Sequence, residues 1–252
     1  MALKEGKLFS AEGSKAILKE IFNQDDSNLQ TLSLAELEIR GGRSTSLCHL
    51  REETLAFNLK GPVSIEVQGA SYRLEHYDIL YLPKGEEYIV RETEGAEALV
   101  YLYRALAQEV HPVQHRKWAE LSTDPSRIRI LNRKKVYLMF DVAEASDRFM
   151  AGYTFYEDHA RAWPPHNHTD QEECYSFIEG SGAMHVYEDD EHLSFVKETK
   201  AGSHVTIPVL NYHPVFSHEE PLCFIWCIAG ERYWVGDKNK DFMKGKGDKI
   251  TT

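Results

Sequence analysis

The side chains best suited to chemistry lie between residues 166 and 213. The run Pro165-His166-Asn-His168-Thr-Asp-Gln-Glu-Glu173 sets two imidazoles two residues apart and a carboxylate five residues later. Residues two apart on an extended strand face the same side, so His166 and His168 can converge on one ion. A turn through residues 169–172 then lets the next strand bring a carboxylate alongside. Glu172 and Glu173 compete for that place because their side chains face opposite sides. Glu173 has the better spacing to Gly180 and shares its face with Tyr175 and Phe177. The fourth ligand must come from a distant strand, and His213, after the turn Pro208-Val-Leu-Asn-Tyr, is the candidate. Three imidazoles and one carboxylate leave coordination positions open, as catalytic rather than structural sites require. Zn, Mn, Fe, Ni and Co all suit this donor set. A lone His-x-His pair is common on surface strands. The ordered set of His-x-His, glutamate, glycine and remote Pro-to-His turn is what sets this one apart.

Such a site needs strands to position it, and the rest of the chain supplies them. Short alternating segments run over residues 32–40, 55–59, 63–67, 79–82, 88–90 and 98–103. A second series covers 136–140, 149–156, 173–178, 183–187, 193–196, 204–207 and 222–228. Many short strands with few helices indicate a sandwich or barrel. Only Ser14–Phe22 reads as a short helix. The run Tyr77–Tyr88 lines up with Gly202–His213, each a β-rich segment entering a Pro turn at the same offset. We therefore expect a duplicated jelly roll, residues 1–110 and 111–252. Tyr88 stands where the second copy has His213, and His49 and His76 are isolated, so one metal site per chain is expected, in the second copy.

The chain has 252 residues, 42% of them hydrophobic, and a formal net charge of −11. That is enough apolar material for two cores, and the acidic balance argues against a phosphate-backbone binder. No run matches a signal-peptide core or the ~20 apolar residues of a membrane span. The four cysteines, Cys48, Cys174, Cys223 and Cys227, are too sparse for a disulfide scaffold, and Cys223 and Cys227 read as buried thiols on one strand face. A cytoplasmic protein with no nucleic-acid or membrane partner is expected, assembled as a homo-oligomer through strand edges.

His166-x-His168-x4-Glu173-x6-Gly180 resembles the first cupin motif, and Gly202-x5-Pro208-x4-His213 resembles the second. The departures are Ala160, Leu210 and Ser217, at places where the motifs often have Gly, Gly and Asn. None removes a ligand. The resemblance implies an all-β bicupin, two tandem double-stranded β-helix barrels, the first degenerate and without metal. More narrowly, the chain resembles the bacterial sugar-acid ketol-isomerases. That family joins the 5-deoxy-glucuronate isomerases of inositol catabolism and the 5-keto-4-deoxyuronate isomerases of pectin catabolism. The similar features are Pro164-Pro165-His166-x-His168, Glu173-x-Tyr175, Tyr212-His213-Pro214-Val215 and Ala229-Gly230-Glu-Arg232-Tyr-Trp234. The first and third lean towards the inositol branch.

The family implies a divalent ion, Zn or Mn before Fe, Ni or Co, and a small sugar-acid substrate. Isomerisation moves a proton between adjacent carbons, so a base or proton relay is needed. Glu172, Tyr175, His204 and Tyr212 are the candidates. Arg161 and Arg232 are candidates for the substrate carboxylate. The aromatic residues Trp163, Phe177, Trp226, Tyr233 and Trp234 read as barrel core, and the acidic run Glu188–Glu191 and lysine-rich tail 238–249 as solvated surface. A cupin dioxygenase on the same ligands, or a sugar-acid sensor that kept the pocket, would be the rival functions. The first requires oxygen uptake, and the second a partner module that is not apparent in the sequence.

Overall fold

The computed structural model describes residues 7–9, 16–95, 97–162, 165–189 and 191–233. Trp163, Pro164, Trp234 and the lysine-rich tail lie outside them. The described residues fall into two compact units. The first runs to Arg127 and includes Met139–Met150; the second comprises Ile128–Leu138 and the chain from Ala151 on.

The first unit holds β1 (Lys7–Phe9), β2 (Ala16–Phe22), β3 (Leu32–Arg40), β4 (Ser44–Cys48), β5 (Glu52–Lys60) and β6 (Val63–Val67). It continues with β7 (Ala70–Leu74), β8 (Ile79–Leu82), β9 (Glu87–Glu92), β10 (Glu97–Leu106) and β11 (Gln114–Arg116). These form a seven-stranded sheet ordered β1-β2-β3-β10-β5-β8-β11 and a four-stranded sheet ordered β4-β9-β6-β7. Alternate side chains such as Leu37, Ile39, Ile65, Val67, Leu80 and Leu102 make its core.

Residues 16–22, expected as part of a helix, form β2 instead, paired with β3 from Ala16 opposite Ile39 to Phe22 opposite Leu34. The open edge of β3 offers a ladder to this apolar segment, and that pairing overrides a weak local helical preference. Beyond residue 110, β11 pairs with β8, and Asp78 accepts from the backbone of Trp118 and lies 3.1 Å from His115 Nε2. These contacts keep the stretch up to Arg127, including the short helix α1 (Trp118–Leu121), with the first unit.

The second unit holds β12 (Ile128–Leu131), β13 (Lys134–Phe140) as far as Leu138, β14 (Phe149–Tyr156) from Ala151 on, β15 (Gln171–Glu179) and β16 (Ser181–Tyr187). After these come β17 (Leu193–Lys200), β18 (His204–Ile207), β19 (Val215–Ser217) and β20 (Leu222–Gly230). Six strands order as β12-β13-β14-β20-β15-β18, and three as β17-β16-β19. The neighbours repeat the first unit: β15 lies between β20 and β18 as β5 lies between β10 and β8. Directly opposed residues share a face. Glu173 therefore lies level with Ile207 and Ile228, Tyr175 with Val205 and Trp226, and Phe177 with Phe224. Trp226 and Phe177 are core, at 5% and 0% exposure. Cys174 opposes Cys227 on the other face, and Cys174, Cys223 and Cys227 are buried.

Gly180 turns β15 into β16 at φ +76°, and a Cβ there would lie 1.9 Å from the Pro221 carbonyl oxygen. Neither the backbone angle nor the space admits a side chain. Gly180→Ala is expected to cost about 3 kcal/mol of unfolding free energy in urea titration. Among the described residues, no helix is long and apolar enough to cross a membrane.

Candidate metal centre

His166 and His168 lie on the extended approach to β15, Glu173 is the third residue of β15, and His213 shortly precedes β19. One ligand atom from each falls within 4.8 Å of every other. The His166 ring centre is 5.1 Å from that of His168 and 4.5 Å from that of His213, and the rings of His168 and His213 stack at 5.2 Å. Glu173 Oε2 is 3.1 Å from His168 Nε2 and 3.0 Å from His213 Nε2. His168, Glu173 and His213 are buried, and His166 keeps some exposed surface.

Outer hydrogen bonds fix which nitrogen faces inward. His168 Nδ1–H donates to Gln171 Oε1 at 2.7 Å, and His213 Nδ1–H donates to the Asn211 carbonyl at 2.8 Å. Each bond turns Nε2 towards Glu173. His213 Nε2 is completely buried, yet makes no hydrogen bond. A buried ring nitrogen facing a carboxylate oxygen 3.0 Å away, with its own proton committed elsewhere, sets two lone pairs against each other. A cation between them satisfies both, so the donors present fit a divalent ion.

The electrostatics agree. Burial, with His213 and His168 close by, pushes His166 well below the usual histidine range, leaving a neutral imidazole. Burial pushes the Glu173 carboxyl up, but the facing His168 outweighs it and holds it at about 2. Burial alone would lower His168, and Glu173 raises it instead. In the metal-free protein Glu173 thus favours a proton on the facing His168.

Tyr175 shares the Glu173 face, its ring edge-on to His213 at 5.6 Å and stacked on Phe224 at 4.6 Å. Burial, with Glu173 nearby, pushes its hydroxyl well above the usual tyrosine range, so it stays protonated. Two of the other proton-transfer candidates, Glu172 and His204, lie on the reverse face. Glu172 opposes Ala229 on the reverse face of β15. His204 opposes Ser176 on that same reverse face, its Nδ1 2.9 Å from Ser176 Oγ. Tyr212 directly precedes His213 and is bridged by its backbone to Tyr187. Of the arginine candidates, Arg161 is exposed and bridges Phe216, and Arg232 is half-buried just after β20.

Three interior residues lie outside the sequence expectations: Gln171, Tyr156 and Lys134. Gln171 stands three residues after His168, and a carboxamide at that offset beside a strand-borne ligand is the available signal. Leu210, one of the departures from the cupin motifs, holds φ +66°. Its N–H donates to the His168 carbonyl and its own carbonyl accepts from Asn167. The left-handed backbone costs a non-glycine residue roughly 1 kcal/mol. Leu210→Gly should therefore raise the thermal midpoint by a few degrees in calorimetry, with metal stoichiometry unchanged.

The first unit differs at the corresponding place. Tyr88 lies 3.1 Å from His49 Nε2 through its hydroxyl, and the Arg104 guanidinium pairs with Glu20 and Glu52. Burial and then Arg104 push His49 down to about 4. A fixed cation already pairs with those carboxylates.

The family model described as "KduI/IolB family" matches residues 6–244. A 4-deoxy-L-threo-5-hexosulose-uronate ketol-isomerase of Bacillus pumilus is 28% identical over 209 residues, which cover 77% of this chain and 72% of the relative. The protein of the same name from Opitutus terrae is also 28% identical, over 75% of this chain and 71% of its own length. Among solved structures, an IolB-like protein from Salmonella typhimurium superposes with a TM-score of 0.75 at 17% identity, over 92% of this chain and 95% of that one. Bacillus subtilis oxalate decarboxylase superposes at 0.72 and 14% identity, over 93% and 77%. These likenesses establish the double cupin fold.

Proposed function

Since the chain belongs to the KduI/IolB family, we propose that it is a metal-dependent ketol-isomerase acting on a deoxy uronic acid. The observation that carries this is the convergence of His166, His168, Glu173 and His213, with a buried His213 nitrogen left for an ion. An ion held by these four side chains supplies Lewis-acid polarisation of a carbonyl and stabilises the negative charge that develops during proton transfer. Zn or Mn fits a reaction that needs no redox change.

The protein's own residues do the rest. Glu173 and the three imidazoles set one reaction point, and the Gln171 and Asn211 contacts hold two of the rings in register. Tyr175 is the proton-transfer candidate we carry forward, because it shares the Glu173 face of β15 and its ring meets His213 edge-on. Its protonated hydroxyl can donate to a substrate oxygen as the carbonyl exchanges places with the neighbouring hydroxyl.

For the substrate, the Pro164-Pro165-His166-x-His168 and Tyr212-His213-Pro214-Val215 segments favour 5-deoxy-glucuronate. The relatives' names favour 4-deoxy-L-threo-5-hexosulose-uronate as the second reading. Anaerobic incubation of the metal-loaded protein with each compound separates them. Isomerisation of 5-deoxy-glucuronate without oxygen is expected. Turnover of the hexosulose uronate alone would move the assignment to the second reading. Turnover of neither, with oxygen consumed on another compound, would overturn the isomerase reading.

A further inference from the structure

Lys134 opens β13 on the interior side of the second barrel. Tyr137, three residues on, has its ring 5.7 Å from that of Tyr153, whose hydroxyl donates to Cys223. Cys223 alternates with Phe224, which faces Phe177 and the interior, so Tyr137 and Tyr153 lie on the reverse face. Lys134 then lies on the interior face by alternation. Its ammonium sits over the Tyr156 ring at 5.5 Å, and Tyr156 meets Phe224 at 5.5 Å. Phe224 stacks on Tyr175, which meets His213.

Among the described residues no carboxylate lies within ion-pair distance of Lys134, and no acceptor binds it. Arg133, its chain neighbour, by contrast pairs with Glu157 and Asp158 on the surface. Burial lowers the Lys134 pKa, the cost of withdrawing an unpaired ammonium from water. A tyrosine face offsets part of that cost, and an arriving carboxylate would offset the remainder.

We propose that Lys134, seated over Tyr156 beside the metal centre, is the anchor for the carboxylate of the sugar-acid substrate. This deepens the isomerase reading and rests on it for the substrate class. Neither Arg161 nor Arg232 combines an interior position with an uncommitted charge. The ammonium binds the acid end of the substrate as a point charge, which leaves the other end for the four-ligand centre.

The test is calorimetric binding of D-glucuronate and of D-glucose, its neutral counterpart, to the zinc-loaded full chain. Wild type should prefer glucuronate at least tenfold. Lys134→Met should abolish that preference, and Lys134→Arg should recover most of it. Zinc stoichiometry and thermal midpoint, read on each variant, separate this from loss of fold or metal; if Lys134→Met does not fold, Lys134→Gln takes its place. Retention of the preference in the neutral variant, or its absence in wild type, would overturn the anchor. A Lys134-dependent preference in a protein that isomerises neither uronate would sustain the anchor and sink the isomerase reading. Turnover with an intact preference in Lys134→Met would do the reverse.

Discussion

Glu173→Gln is expected to weaken divalent-ion binding at least a thousandfold and to take isomerase activity to background. The carboxylate is the only anion in the donor set, and a thousandfold is about 4 kcal/mol. The metal-free fold should change far less. Glutamine keeps the shape, and its amide can donate to the buried His213 Nε2 that now has no partner. We expect unfolding free energies within about 1 kcal/mol of wild type when both proteins are stripped. The pH dependence carries a sign of its own. Glu173 raises His168, so an ion binding to wild type competes with a proton that the carboxylate favours there. Affinity therefore falls as pH drops through the raised His168 value and recovers above it. In Glu173→Gln that dependence should move to lower pH, because His168 loses the partner that raised it. Competition with a chromophoric chelator across pH reads both effects.

Gln171→Leu should reduce ion affinity roughly ten- to a hundredfold, the range for loss of a hydrogen bond that orients a ligand ring. Gln171 is 1% exposed and spans two elements. Its oxygen accepts from His168, and its amide nitrogen donates to the carbonyls of Glu231 and Tyr233. Leucine fills the space but leaves His168 Nδ1 and both carbonyls without that partner. The ring is then free to rotate, and Nε2 is no longer held towards Glu173. Activity at limiting ion should fall in parallel with affinity, and excess ion should restore it. Failure of excess ion to restore turnover would mean that Gln171 acts on the substrate rather than on His168.

The residues that carry the centre are legible in the sequence because strand alternation and motif order both act locally. The same alternation separates Glu173 from Glu172, and opposed residues Ile228 and Ala229 place the two carboxylates on opposite faces. His204 shows where that reasoning stops, since its face depends on pairing with Ser176, a long-range register that one strand does not encode. Lys134 and Gln171 stay hidden for a related reason. A lysine opening a strand and a glutamine before two glutamates look solvated until distant strands cover them. The segment ending at Phe22 has a spacing compatible with a helix, and only the open edge of β3 turns it into a strand. Leu210 is the converse. It departs from a glycine pattern, yet the turn still adopts the glycine-like backbone, because its N–H meets the His168 carbonyl.

Isomerisation by chelator-stripped protein, titrated anaerobically with a divalent ion beside His168→Ala, tests the four-ligand centre most directly. Wild-type activity should rise linearly to one ion per chain and then stay flat, with His168→Ala inactive throughout. Full turnover by the stripped protein, or by His168→Ala, would contradict it.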